Sequence, residues 1–166
     1  MWVLGKDSLV SYNELIDDAK LVIEWMLQYS PVDFGLSEGY RPPLVQFEKY
    51  KVGRQKIKGV WQVVGKVITN CDGYDVLSYH NESPAKAFDY FAWVPGKKRL
   101  MYDEVHLTAI STAAIVISHY LYDQDRISHV ARSGSNWDED GELLYDQNFD
   151  DSPHIEFYKP ALKTRF

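Results

Sequence analysis

Apolar residues recur at helical spacing from Ser11 onward. Tyr12, Leu15, Ile16, Ala19, Val22, Ile23, Met26 and Leu27 fall three and four residues apart on one face. Ser11 with Glu14 three positions later reads as a capping box, which predicts one helix from Ser11 until Pro31 stops it. Residues 32–39 alternate weakly as a strand, and Pro43 at a first helical position starts a short helix that should carry Leu44, Phe47 and Tyr50 toward the core. Residues 52–79 place Gly53, Gly59, Gly65 and Gly73 between short β-branched runs, the pattern of a hairpin or two irregular strands with loops. Lys86 to Val94 alternates with apolar residues on both faces, so a strand buried on both sides is expected, with Asp89 planted in it. After a turn at residues 95–98, the stretch Asp103 to Tyr122 is apolar nearly all round and predicts a mostly buried central helix. A polar, acidic loop from Arg132 to Asp151 leads into a last strand, His154 to Tyr158.

These elements predict an α+β fold: a small antiparallel sheet packed against an N-terminal and a central helix, in a single domain spanning residues 1–166. With 45% apolar and 14% aromatic residues, the chain can fill one core. Twenty-four acidic against eighteen basic residues give a net charge of −6, which argues against a phosphate-tracking nucleic-acid binder. The N-terminus lacks the pattern of a secretory signal, and no run approaches a membrane-spanning apolar length, so a monomer without membrane insertion is expected, synthesised in the cytoplasm. One cysteine, Cys71, excludes a thiolate cage, so a metal would have to be held by histidine and carboxylate.

Two segments concentrate such groups: Ser78-Tyr79-His80 through Asp89, and Asp150-Asp151-Ser152-Pro153-His154-Ile155-Glu156. A carboxylate buried in a strand needs a cation, either an Arg or Lys partner or a metal held jointly with His80 and His154. In the last strand, His154 and Glu156 share one face opposite Ile155 and Phe157, and Asp151 precedes His154 by three residues, a workable place for a general base. Plainer roles exist as well. Arg41 could pair with Glu38 or Asp33, Asp151 could cap a loop, and Glu156 could be an ordinary paired strand charge. His106, His119 and His129 lack a ligand spacing and are assigned no role. Asn136 to Gln147 follows a calcium-loop pattern at its first positions but has Gln147 where a bidentate Glu belongs, which leaves Ca²⁺ a weak expectation.

The order Glu38-Gly39-Tyr40-Arg41, Gln46, Gly53-Arg54, Ser78-Tyr79-His80…Ala87-Phe88-Asp89 and Asp151-Ser152-Pro153-His154 resembles the LAS-type metallopeptidases. These are zinc D-alanyl-D-alanine carboxypeptidases, dipeptidases and L-alanyl-D-glutamate endopeptidases that cut peptidoglycan stem peptides, and the likeness is greatest to compact phage lysis enzymes. The resemblance implies that His80, Asp89 and His154 bind one Zn²⁺, that Asp151 is the general base, and that Arg41 holds the substrate's carbonyl or carboxylate. It also implies that Ser78 and Glu156 orient the ligands. The expected activity is endolysin-like cleavage of the L-Ala–D-Glu bond at the cell wall after release, or as a virion component. A D-Ala-D-Ala carboxypeptidase and an inactive wall-binding module of the same fold are the alternatives. The spacing from His80 to Asp89 is longer than is common in that family.

Overall fold

The computed structural model describes residues 1–137 and 151–161. Helices α1 (Lys6–Asn13) and α2 (Asp17–Tyr29) precede strand β1 (Phe34–Glu38), helix α3 (Pro43–Lys51) and a hairpin of β2 (Arg54–Ile57) and β3 (Val60–Val63). Strand β4 (Ala87–Ala92), helix α4 (Glu104–Asp123) and strands β5 (Val130–Gly134) and β6 (Asp151–Tyr158) complete the order. The main sheet runs β1-β4-β6-β5 with antiparallel neighbours throughout, and the fold is α+β as expected. Its outer edge at β1 is covered by α1, where Ser8 Oγ accepts from Leu36 N at 2.9 Å and donates to Leu36 O at 3.1 Å.

Several expectations change, among them the start of the acidic loop, since Arg132 to Gly134 belong to strand β5. The single helix from Ser11 is two helices, because residues 14–16 leave the helix to pair with Ala85: Ala85 N donates to Glu14 O and Ile16 N to Ala85 O. The capping box is therefore not formed. Ser11 lies inside α1, and the Glu14 carboxylate accepts from Tyr40 N at 2.9 Å instead.

Helix α3 starts at Pro43 as predicted, but its buried residue is Gln46, while Leu44 is 64% exposed. Phe47 and Tyr50 stack on each other over the hairpin rather than entering the core. Strand β4 is fully buried on one face and only in part on the other. Phe88, Tyr90 and Ala92 enter the core; on the other side Ala87 is buried, Asp89 and Phe91 are partly exposed, and Trp93, just past the strand, is exposed. Helix α4 buries one stripe, Leu107, Ile110, Ala114, Ile117 and Leu121, and leaves Val105, Val116 and Tyr120 exposed. By length and composition alone α4 could cross a membrane, yet its buried stripe belongs to the core.

Tertiary ties hold the sheet and helices in place. Tyr90 Oη lies 2.9 Å from Leu107 O and 2.7 Å from Ser152 O, which joins α4 to the start of β6. Asp18, in the first turn of α2, accepts from Ser128 N and Oγ and from His129 N and Nδ1 at 2.8–3.0 Å. Burial would raise this carboxyl's pKa, but the His129 and Ser128 donors outweigh it and hold it below the ordinary value. The contribution of Asp18 to stability is therefore complete above its unfolded pKa and is lost as pH falls through the lower folded value. Asp18→Asn is expected to cost about 1–3 kcal/mol at neutral pH. Thermal melts should show that gap closing as pH falls through the carboxyl's lowered folded pKa. A gap that persists in acid would mean that the carboxylate charge is not what holds the loop.

Candidate metal centre

Each candidate ligand is positioned by backbone chemistry. His80 sits in a single 3-10 turn (Tyr79–Asn81) capped by Ser78, whose Oγ accepts from His80 N at 3.3 Å while Asn81 Oδ1 accepts from Ser78 N at 2.9 Å. Among the described contacts Ser78, expected to orient the ligands, bonds the backbone of His80 and so fixes this turn. The turn is also tied to the segment after β1: Arg41 N donates to His80 O at 2.8 Å, and Asn81 Nδ2 donates to Arg41 O at 2.7 Å. His80 Nδ1 lies 2.6 Å from Gly39 O. A side chain at residue 39 would bring Cβ to 2.6 Å from Ser11 O, so only glycine permits that approach. Asp89 and His154 are directly opposite each other on β4 and β6.

The three expected ligands come together. His80 Nε2, Asp89 Oδ1 and His154 Nδ1 form a triangle with sides of 3.2, 2.9 and 3.1 Å. Ligand atoms bound tetrahedrally to zinc stand roughly 3.3 Å apart, so the triangle needs little adjustment to face one ion.

Proton placement gives an independent test of fit. Gly39 O can only accept, so His80 Nδ1 carries hydrogen and the lone pair of a neutral ring points inward from Nε2. His154 Nε2 faces Glu156 Oε2 at 3.5 Å, which favours hydrogen there and a lone pair on the inward Nδ1. Three electron-rich atoms thus converge, an arrangement that calls for a proton or a cation at its centre. The electrostatics agree. Burial opposes charge on His154, yet its hydrogen bonds to Asp89 and Glu156 and the nearby carboxylates raise its pKa to about 9. Burial likewise opposes ionisation of Asp89, but both imidazoles hold it far below the ordinary range. The donor set fits a divalent metal.

Arg41 divides the Asp89 carboxylate with that centre. Its Nη2 lies 3.2 Å from Asp89 Oδ2, so of the two partners considered for this aspartate, a cationic side chain takes one oxygen while the other faces the imidazoles. Arg41 also pairs with Glu38, through Nε at 2.9 Å and Nη2 at 2.5 Å, and donates from Nη1 to Gln46 Oε1 at 2.8 Å. Of its five N–H groups, one on Nη1 remains among the described contacts. Gln46 is held in turn by Thr69 Oγ1 and Cys71 O. Glu38 and Gln46 fix the guanidinium; the pairing with Glu38 is one of the two plainer readings of Arg41 in the sequence, whereas Gln46 was not singled out for this, although it lies in the ordered motif.

Asp151 opens β6 and pairs with Gly134, where the register shifts. Burial raises its pKa, and the Asp89 charge adds to this, against lowering by His154, His80 and Arg41. Glu156 combines both of its anticipated readings: Oε1 pairs with Arg132 at 2.6 Å while Oε2 faces His154. Glu156→Gln should weaken zinc binding by about 10–100-fold without unfolding the protein, as measured by competition with a chromophoric chelator. Unchanged affinity would reduce Glu156 to a partner of Arg132. The Trp137 ring lies beside His154, their centroids 5.2 Å apart.

His106 serves the Asp103 cap of α4, and His129 the Asp18 clamp, so neither approaches the centre. The calcium-loop expectation falls on residues 136–147, of which 138 onward lie outside the described residues.

No protein-family model matches the chain, and no curated protein matches it. Among solved structures it is similar to the L-Ala D-Glu endopeptidase ChiX of Serratia marcescens, with a TM-score of 0.61 and 18% identity over 94% of this chain and 90% of that one. At that identity the likeness establishes a shared fold.

Proposed function

We propose that this chain is a zinc peptidase of the LAS type that hydrolyses an amide bond of the peptidoglycan stem peptide, the L-Ala–D-Glu bond in the first instance. The observation that carries the reading is the triangle of His80 Nε2, Asp89 Oδ1 and His154 Nδ1, with a half-buried carboxyl, Asp151, within electrostatic reach. Two further supports are the ordered motifs in the sequence and the fold shared with a protein described as an L-Ala D-Glu endopeptidase.

Zinc held by those three atoms would supply a Lewis acid for the scissile carbonyl and acidify water beside it. The chain's own groups do the rest. Asp151, raised by burial, is suited to take a proton from the attacking water and return it to the leaving amine. Arg41, locked by Glu38 and Gln46, brings its remaining N–H and a fixed charge to the oxygen on which negative charge develops. Three anions, Glu38, Asp89 and Asp151, surround this one guanidinium, which keeps it ionised in a buried place.

Purified protein should solubilise sacculi, lose that activity in chelator and regain it with zinc. Mass spectrometry of the digest should show new N-terminal D-Glu. Fragments lacking only terminal D-Ala would assign the carboxypeptidase instead, and inertness under every metal condition would return the wall-binding module. Cleavage unaffected by chelation would overturn the zinc reading.

A further inference from the structure

Charge is divided unevenly along this acidic chain. Residues 43–66, which form α3 and the β2–β3 hairpin, hold six basic residues and one acid, a net charge of +5. The remaining 142 residues carry twelve basic against twenty-three acidic groups, or −11. The sequence shows no basic block there because lysines and arginines alternate with apolar residues. Folding gathers them on one projection.

Three of the six cations are engaged: Lys49 with Glu38, Lys51 with Glu48, and Arg54 with Tyr50 O, Thr69 O and Asn70 Oδ1. Lys56, Lys58 and Lys66 are exposed and make no ion pair among the described residues. Beside them stand Val60, Val63 and Val64, each at least 60% exposed, with Ile57 at 36%. Lys58 and Gly59 both have positive φ, 50° and 85°, the backbone of a tight hairpin turn that sets Ile57 opposite Val60 at the tip. The root is held by Val64 N and Gly65 N donating to Gly53 O, and by Phe47 against Trp61 at 5.9 Å. The projection is a built feature with an apolar tip ringed by lysine.

We propose that the β2–β3 hairpin docks this protein on an anionic lipid bilayer surface, with Ile57 and Val60 at its tip entering the headgroup region and Lys56, Lys58 and Lys66 drawn to the lipid phosphates. Charge complementarity selects the partner's sign, since the rest of the chain would be repelled by the same surface and only this projection is drawn to it. The exposed apolar tip selects lipid over a soluble polyanion, which would pair with the lysines and leave apolar side chains in water. The inference stands whether or not the protein hydrolyses peptidoglycan.

Sedimentation with phosphatidylcholine vesicles, with and without phosphatidylglycerol, tests it on the full chain. The wild type should bind only the anionic vesicles, less so as salt rises. K56E/K58E/K66E should lower partitioning on the order of 100-fold, and I57S/V60S should remove the fraction that resists salt. Melting temperatures of both variants show whether the fold is intact. Equal binding to both vesicle types, binding to neither, undiminished binding by the lysine variant, or capture by polyglutamate but not by vesicles would each overturn the proposal.

Discussion

Asp89→Asn is expected to strip the protein of zinc and reduce hydrolysis of sacculi to background. The change keeps the size of the side chain but removes the charge that both imidazoles and Arg41 face. Groups that only orient a metal ligand are commonly worth about 10–100-fold in affinity, so loss of a charged ligand should exceed about 100-fold. Arg41 retains its two contacts with Glu38, and the core face of β4 is untouched, so circular dichroism should report a folded variant. Zinc content measured by atomic absorption, alongside activity, decides the matter. A variant that keeps one zinc per chain and wild-type turnover would move the metal elsewhere.

Asp151→Asn separates catalysis from metal binding. Asp151 is not one of the three converging ligands, so zinc content should be unchanged while turnover falls by about 10²–10⁴-fold, the usual worth of a positioned general base. The wild-type pH profile carries the same information. A base must be ionised to act, and burial places this carboxyl above its ordinary pKa. Activity should therefore decline as pH falls through a value higher than that of an exposed aspartate, and this acid limb should be missing from the residual activity of the asparagine variant. Full activity in Asp151→Asn would assign the proton transfer to another group.

Much of this centre was legible in the chain. His80, Asp89 and His154 each sat in a short motif, and alternation along the last strand placed His154 and Glu156 on a shared face, as found. The helix start at Pro43 and the lone cysteine were equally plain. The helix break at residues 14–16 was hidden, because the apolar ladder continues through it and its cause is a pairing with Ala85, far along the chain. Gln46 was hidden for a related reason: a polar residue on an amphipathic helix reads as solvent-facing until its partner, Arg41, is placed beside it.

By itself the sequence determined which atoms could serve as ligands, excluded thiolate chemistry, and set the period of most helices and strands, since side-chain type and local spacing act over a few residues. Tertiary structure alone decided that three side chains from distant segments meet within about 3 Å, that Asp89 shares its carboxylate with Arg41, and that α4 buries a single stripe while the second face of β4 is only partly covered. It also gathered scattered lysines on one hairpin. Period tells which residues lie together on a face, but what covers that face, and which charges meet across it, depends on chain segments too far away in sequence for local pattern to register.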